Sequence, residues 1–190
     1  MTQKQKQEDE KIWNDFRAGD NQAYATIYRT YAKQLLAYGM RFSTDRELVK
    51  DCVQNVFVHI YEIRSRLKET DNIKLFLFIA LKNSLFRLFE KEQEFSRIDT
   101  LEPVFSVDYS NEDQLEEEEN DREREEKVLR IFEALTPRQK EVIYYRYMEE
   151  MDFDEISKIM QMNYISLQNL IQRSINKARK AFPDKLRAKS

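Results

Sequence analysis

Apolar residues recur along this chain at three- and four-residue steps, the interval that gathers them on one face of an α-helix. In residues 9–18 they are Ile12, Trp13 and Phe16, and Gly19 follows as a C-terminal stop. Asp20 is placed to cap a second helix, whose stripe runs Tyr24, Ile27, Tyr28, Tyr31 and Leu35 and closes at Gly39. A third helix starts near Asp45 and carries Leu48, Val49, Cys52, Val53, Val56, Phe57, Ile60 and Ile63. The polar stretch 64–72 reads as a loop. A fourth helix follows with Leu75, Phe76, Ile79, Asn83, Phe86 and Phe89 on one side, and it fades into charge at 90–94. Four such helices suffice for one small bundle.

A second set begins around Arg124. Val128, Leu129, Phe132 and Leu135 make its first helix. Thr136, then Pro137, then Gln139 three places after the cap form a capping box with proline at the first helical position. Val142, Ile143 and Tyr147 line the helix so started. Asp152 and Glu155 repeat the cap logic ahead of Ile156, Ile159 and Met160. After a break at 161–163, a last helix runs to about Phe182 with Leu167, Leu170, Ile171 and Ser174 inward, and Pro183 lies beyond its end.

Composition narrows the class. The 190 residues include only 2 Gly and 3 Pro, which argues against a turn-rich β-sandwich or barrel. The expected fold is all-α, with a four-helix N-terminal bundle and a C-terminal helix-turn-helix domain. No apolar run approaches the ~18 residues of a membrane span, and the N-terminus lacks a signal-peptide core. One cysteine, Cys52, cannot make an internal disulfide and fits a cytoplasmic chain. One histidine, His59, cannot build a multi-histidine metal site. No CxxC, HExxH, GxGxxG or P-loop pattern occurs, so no cofactor, metal or catalytic residue is expected. Cys52 and His59 lie on or near the apolar stripe and read as structural.

The net charge of −3 conceals an asymmetry: residues 20–91 sum to +4, residues 92–127 to −11 and residues 166–190 to +6. The run Glu116–Glu119 repels itself and buries nothing, so a flexible linker is the natural reading. The expected division is a domain over 1–95, an acidic linker over 96–124 and a domain over 125–190. The last pair of helices has the layout of a helix-turn-helix, whose second helix enters the major groove. Tyr164, Ile165, Gln168, Asn169, Gln172 and Arg173 occupy its outward side, with Lys177, Arg179 and Lys180 further along. Gln and Asn suit adenine, and Arg suits guanine or phosphate. An ordinary hairpin with a solvated face is the plain alternative on pattern alone.

At these residues the chain resembles bacterial sigma-70 family factors. Residues 135–147 (LTPRQKEVIYYRY), 153–160 (FDEISKIM) and 163–175 (NYISLQNLIQRSI) resemble their C-terminal domain. In the N-terminal half, Gly19-Asp20 before Ala23-Tyr24 looks like the family's opening. Residues 48–57 (LVKDCVQNVF) look like its core-polymerase-binding helix, and residues 76–83 (FLFIALKN) like its promoter-melting helix. Two domains with a short linker match the extracytoplasmic-function (ECF) branch. The resemblance implies promoter recognition rather than catalysis. Asp51, Gln54, Asn55 and Phe57 hold positions that dock on the clamp helices of the polymerase β′ subunit. Arg64, Arg66, Lys68, Asn72, Lys74, Lys82, Asn83 and Arg87 hold positions that capture and melt the −10 element. The helix-turn-helix residues, through Lys177, would read the −35 element beside the polymerase β flap. The acidic linker would thread the polymerase's basic channel. An anti-sigma factor is a further partner that relatives often have.

Two departures from the family pattern matter. Phe76 stands where many relatives have Trp. Gln161 stands at the turn, where Gly is usual; a positive φ there would strain a residue with a side chain. Two rivals remain open at this point: a polymerase-independent helix-turn-helix regulator, and an acidic helical interaction protein.

Overall fold

A computed structural model of the chain describes residues 3–96, 105–106 and 130–181, which contain helices and no strand. The chain divides into two units, Met1–Val104 and Phe105–Ser190.

The first unit holds α1 (Gln3–Arg17), α2 (Asn21–Gly39), α3 (Arg46–Glu62) and α4 (Ile73–Ser96), with a 3-10 turn at Arg64–Arg66. Helix α1 begins nine residues ahead of Ile12, the first residue of its apolar stripe, because Gln, Lys and Glu are good helix formers even without a core to face. Gly19 ends it in a positive-φ conformation (101°) open to any residue only at a cost, and Asp20 accepts from the Gln22 N–H to start α2. Asp45 caps α3 through the N–H groups of Glu47 and Leu48. Asn72 caps α4 by accepting from Leu75 N–H at 2.9 Å.

Trp13, Phe16, Ile27, Leu35, Tyr38, Val49, Cys52, Phe57, Ile60, Leu77, Phe78, Leu81 and Leu85 fill the interior. Helices α2 and α3 approach closely at Gly39, where a Cβ would stand 2.5 Å from Val49 Cγ1 and 3.3 Å from Leu81 Cδ2. Tyr38 stacks on Phe78 with ring centroids 4.1 Å apart.

Three expectations for this unit are corrected. The buried side of α4 runs Ile73, Leu77, Phe78, Leu81 and Leu85, while Phe76, Ile79, Phe86 and Phe89 are half-buried and Asn83 is exposed. The helix is apolar on two sides, so period alone did not choose between them. Tyr28 is exposed, and Tyr38 takes the interior place instead. His59 is exposed rather than structural, lying one step off the α3 stripe.

The second unit holds α5 (Pro137–Tyr147), α6 (Phe153–Met160) and α7 (Tyr164–Ala181), preceded by a helical turn at 130–133. Both capping boxes are present: Thr136 with Gln139, and Asp152 with Glu155. Val128 and Leu129 lie outside the described residues, whereas Phe132 and Leu135 are buried as expected. On α5 the buried face is Glu141, Val142, Tyr144 and Tyr145; Ile143 is half-buried and Tyr147 exposed. Tyr145 donates to Glu141 at 2.9 Å, so the polar atoms that face brings inside satisfy each other.

Most of the expected acidic linker lies outside the described residues. Phe105, however, is fully buried in the second unit, its ring 5.4 Å from Tyr144 and 6.4 Å from Tyr145. Phe105 falls within the span 96–124 expected as an acidic linker, and its ring takes an aromatic seat in the second unit.

Candidate nucleic-acid interface

The turn between α6 and α7 sets how the last helix is presented. Gln161 ends α6 in the left-handed conformation, φ 52° and ψ 46°, and Met162 N–H bonds back to Ser157 O at 3.0 Å. The position does require positive φ, and this chain meets the requirement with glutamine. Asn163 then caps α7 by accepting from Ser166 N–H at 2.8 Å. Leu167, Leu170, Ile171 and Ser174 turn inward, Ser174 bonding back to Leu170 O. That rotation leaves Tyr164, Ile165, Gln168, Asn169, Gln172, Arg173 and Lys177 all exposed, Ile165 by 71%. Tyr164 packs against Phe153 at 5.2 Å, and the Arg146 guanidinium lies over the other ring at 5.6 Å. Arg146, which the sequence reading did not single out, also donates to Met151 O and so fixes the α5–α6 connection beside the turn. Among the described residues, α7 brings together every residue expected to read the −35 element.

In the first unit, Asp51, Gln54 and Asn55 share an exposed face of α3. Phe57 does not share it. Its side chain is buried against Tyr24 and Tyr28, so it belongs to the core and not to a docking face. Val58 takes its place: 47% exposed, it lies seven residues after Asp51 on the same face. An exposed valine among polar residues has no signature in the sequence until the face is fixed by packing.

The expected −10 residues fall into two groups. Arg66 and Lys68 project from the loop and are exposed, as are Asn83 and Arg87 on α4. Arg64 lies over the Tyr61 ring at 4.5 Å and donates to Tyr61 O at 2.8 Å. Lys74 and Lys82 stand over the Phe78 and Phe86 rings, each at 5.5 Å, which holds both cations along the α4 surface. Asn72 is the exception: its side chain is occupied as the α4 cap, so it shapes the loop rather than facing a ligand.

Burial pushes the Cys52 thiol up despite its Ser84 hydrogen bond, which leaves it unreactive inside the bundle. Among the described residues, no cluster of three or more His, Cys, Asp or Glu could hold a metal ion, and no helix is long and apolar enough to cross a membrane.

The family model for sigma-70, region 4 matches residues 125–177. No curated protein matches the sequence. Solved structures share the fold, CnrH and RpoE among them. CnrH, solved in complex with the cytosolic domain of CnrY, is 16% identical at a TM-score of 0.58, over 93% of this chain and 98% of that one. The sigma factor RpoE of Bartonella quintana, solved with the anti-sigma factor NepR, is 14% identical at a TM-score of 0.60, over 85% of this chain and 98% of that one. Residues 125–177 thus match the sigma-70, region 4 model, and the chain shares its fold with CnrH and RpoE.

Proposed function

We propose that the chain is an alternative, ECF-type sigma factor that binds core RNA polymerase and directs promoter recognition and melting. The observation that carries this is the fit between the region 4 match and α7. The matched segment ends in a helix whose outward side is Gln168, Asn169, Gln172 and Arg173, all exposed. These are the side chains that suit adenine and guanine edges. The first unit supports the reading with two separate surfaces. Asp51, Gln54, Asn55 and Val58 form the proposed clamp-helix face on α3, and the loop cations with Asn83 and Arg87 form the proposed −10 face. Three α7 residues at 177–180 carry basic groups, so phosphate contacts would extend the −35 footprint past the base-reading turn. CnrH and RpoE were each solved with a bound protein, NepR being named an anti-sigma factor, and an anti-sigma factor is the corresponding proposed regulator here.

Run-off transcription with purified core polymerase and genomic fragments tests the reading. Discrete start sites that depend on this chain are expected. Replacing Arg173 or Asn169 by Ala should weaken −35 reading by about 1–3 kcal/mol where the side chain contacts a base. Core polymerase that leaves the chain in the flow-through, combined with salt-sensitive DNA binding by the chain alone, would favour a polymerase-independent regulator.

A further inference from the structure

One face of α1 is spent on the segment that joins the 3-10 turn to α4. Lys6, Asp9, Trp13 and Arg17 follow one another at three- and four-residue steps, and each meets a different point of residues 67–73. Arg17 Nε donates to Leu67 O at 2.8 Å, and Trp13 Nε1 donates to Lys68 O at 2.8 Å. Arg17 Nη1 reaches Glu69 at 3.3 Å and is steadied by Asn14 Oδ1 at 2.9 Å. Lys6 lies 3.7 Å from Asp71. Asp9 accepts from Ile73 N–H at 2.9 Å, at the first residue of α4. The Trp13 ring is fully buried, 4.8 Å from Phe76.

Stability alone does not explain the charges in this arrangement. Both ion pairs reach solvent, their carboxylates more than half exposed, and such pairs contribute little to folding. Their effect on an approaching polyanion is different. Residues 64–71 carry three cations, Arg64, Arg66 and Lys68, and two carboxylates, Glu69 and Asp71. The two carboxylates are the ones that Lys6 and Arg17 meet. With those two neutralised, the loop presents an uncompensated cationic edge to phosphate. The two carbonyl contacts meanwhile fix the backbone path through Leu67 and Lys68, from which the Lys68 side chain and that of the adjacent Arg66 project.

We infer that α1 is the positioning element of the −10 face: Trp13 and Arg17 hold the loop's path, and Lys6 and Arg17 mask its carboxylates. This rests on the reading of residues 64–73 as the site of single-strand capture. The test uses full-length chain reconstituted with core polymerase. The probe is a single-stranded oligonucleotide bearing the non-template −10 strand of a promoter mapped by run-off. Arg17→Gln and Trp13→Phe should each weaken oligonucleotide binding about three- to tenfold, the range for losing a hydrogen bond or two of ordering. Core affinity and melting temperature should stay near wild type for Arg17→Gln. The double variant Arg17→Gln with Glu69→Gln should recover part of the loss, because the carboxylate is no longer there to unmask; a merely structural Arg17 would show no such recovery. Wild-type oligonucleotide binding in Arg17→Gln, beside a loss in the Arg66→Ala/Lys68→Ala control, overturns the role of α1 and leaves the loop reading standing. Wild-type binding in that control as well overturns both.

Discussion

Replacing Gln161 by glycine should stabilise the second unit. Gln161 sits at φ 52° and ψ 46°, between α6 and α7, and its side chain is exposed, so no packing is lost on substitution. The left-handed conformation costs an L-residue about 1–2 kcal/mol through the crowding of Cβ against the following carbonyl. Glycine escapes that crowding but loses about 0.5–1 kcal/mol more backbone entropy on folding. The balance favours glycine by about 0.5–1 kcal/mol. For a unit of this size, 1 kcal/mol moves a melting temperature by about 4–8 °C, so a rise of ~2–8 °C is expected. Asparagine, which tolerates this region, should fall between glutamine and glycine, and valine should fall below glutamine because β-branched residues are genuine outliers there. Calorimetry of the full chain reads this series directly. An unchanged or lowered transition for Gln161→Gly, or a valine variant equal to wild type, would refute the argument that backbone strain is stored at this turn. Promoter footprints should not move in the glycine variant, since the backbone it adopts is the one already present.

Other outcomes follow from the same packing. Gly39→Ala gains up to ~1 kcal/mol of helix propensity but drives a Cβ to 2.5 Å from Val49 Cγ1, so a net loss of about 1–2 kcal/mol is expected, partly relieved in the double variant with Val49→Ala; urea melts of the two check it. Phe105→Ala should lower the second unit's stability by about 3–5 kcal/mol, as for a buried core phenylalanine; a melt identical to wild type would show that the aromatic seat holds nothing. Burial at the α1–α4 junction holds the Asp9 carboxyl above the ordinary 3.8, outweighing the Ile73 and Tyr31 hydrogen bonds, so the folded state binds this proton more tightly than the unfolded chain. Stability contributed through Asp9 therefore grows as pH falls through its raised value. Asp9→Asn, which keeps an acceptor for Ile73 N–H, should gain most over wild type at pH 7 and lose that advantage toward pH 4; a gap independent of pH in paired thermal melts would count against it.

Much of the local structure was legible in the chain itself. Caps are short-range devices, so Asp20, Asp45, Thr136 with Gln139, and Asp152 with Glu155 named the starts of α2, α3, α5 and α6 without knowledge of what packs where. The inward side of α7 was legible for a related reason: its four apolar or small positions are separated by strongly polar ones, so only one rotation buries them. The same clarity exposed the seven candidate −35 residues. The strain at Gln161 could be anticipated as a condition, namely that a side chain would be strained if the turn needed positive φ, and the turn does need it.

Helices with two apolar sides were a different matter. Period alone assigned Phe76, Ile79 and Asn83 to the interior of α4, and packing against α2 chose Leu77, Phe78, Leu81 and Leu85 instead, because Tyr38 needed a flat ring to stack on. Which side of α3 faced outward decided that Phe57 is core and that Val58 stands with Asp51, Gln54 and Asn55. The seat of Phe105 and the grip of α1 on residues 67–73 join positions roughly 40 to 65 residues apart, as in the Trp13 and Asp9 hydrogen bonds across 55 and 64 residues. The chain alone thus set where helices begin, their turn chemistry and one recognition face, all matters of neighbours within a turn or two. Tertiary structure alone decided which of two greasy sides is buried and which distant groups share a hydrogen bond, because both depend on shape and desolvation that arise only when the helices meet.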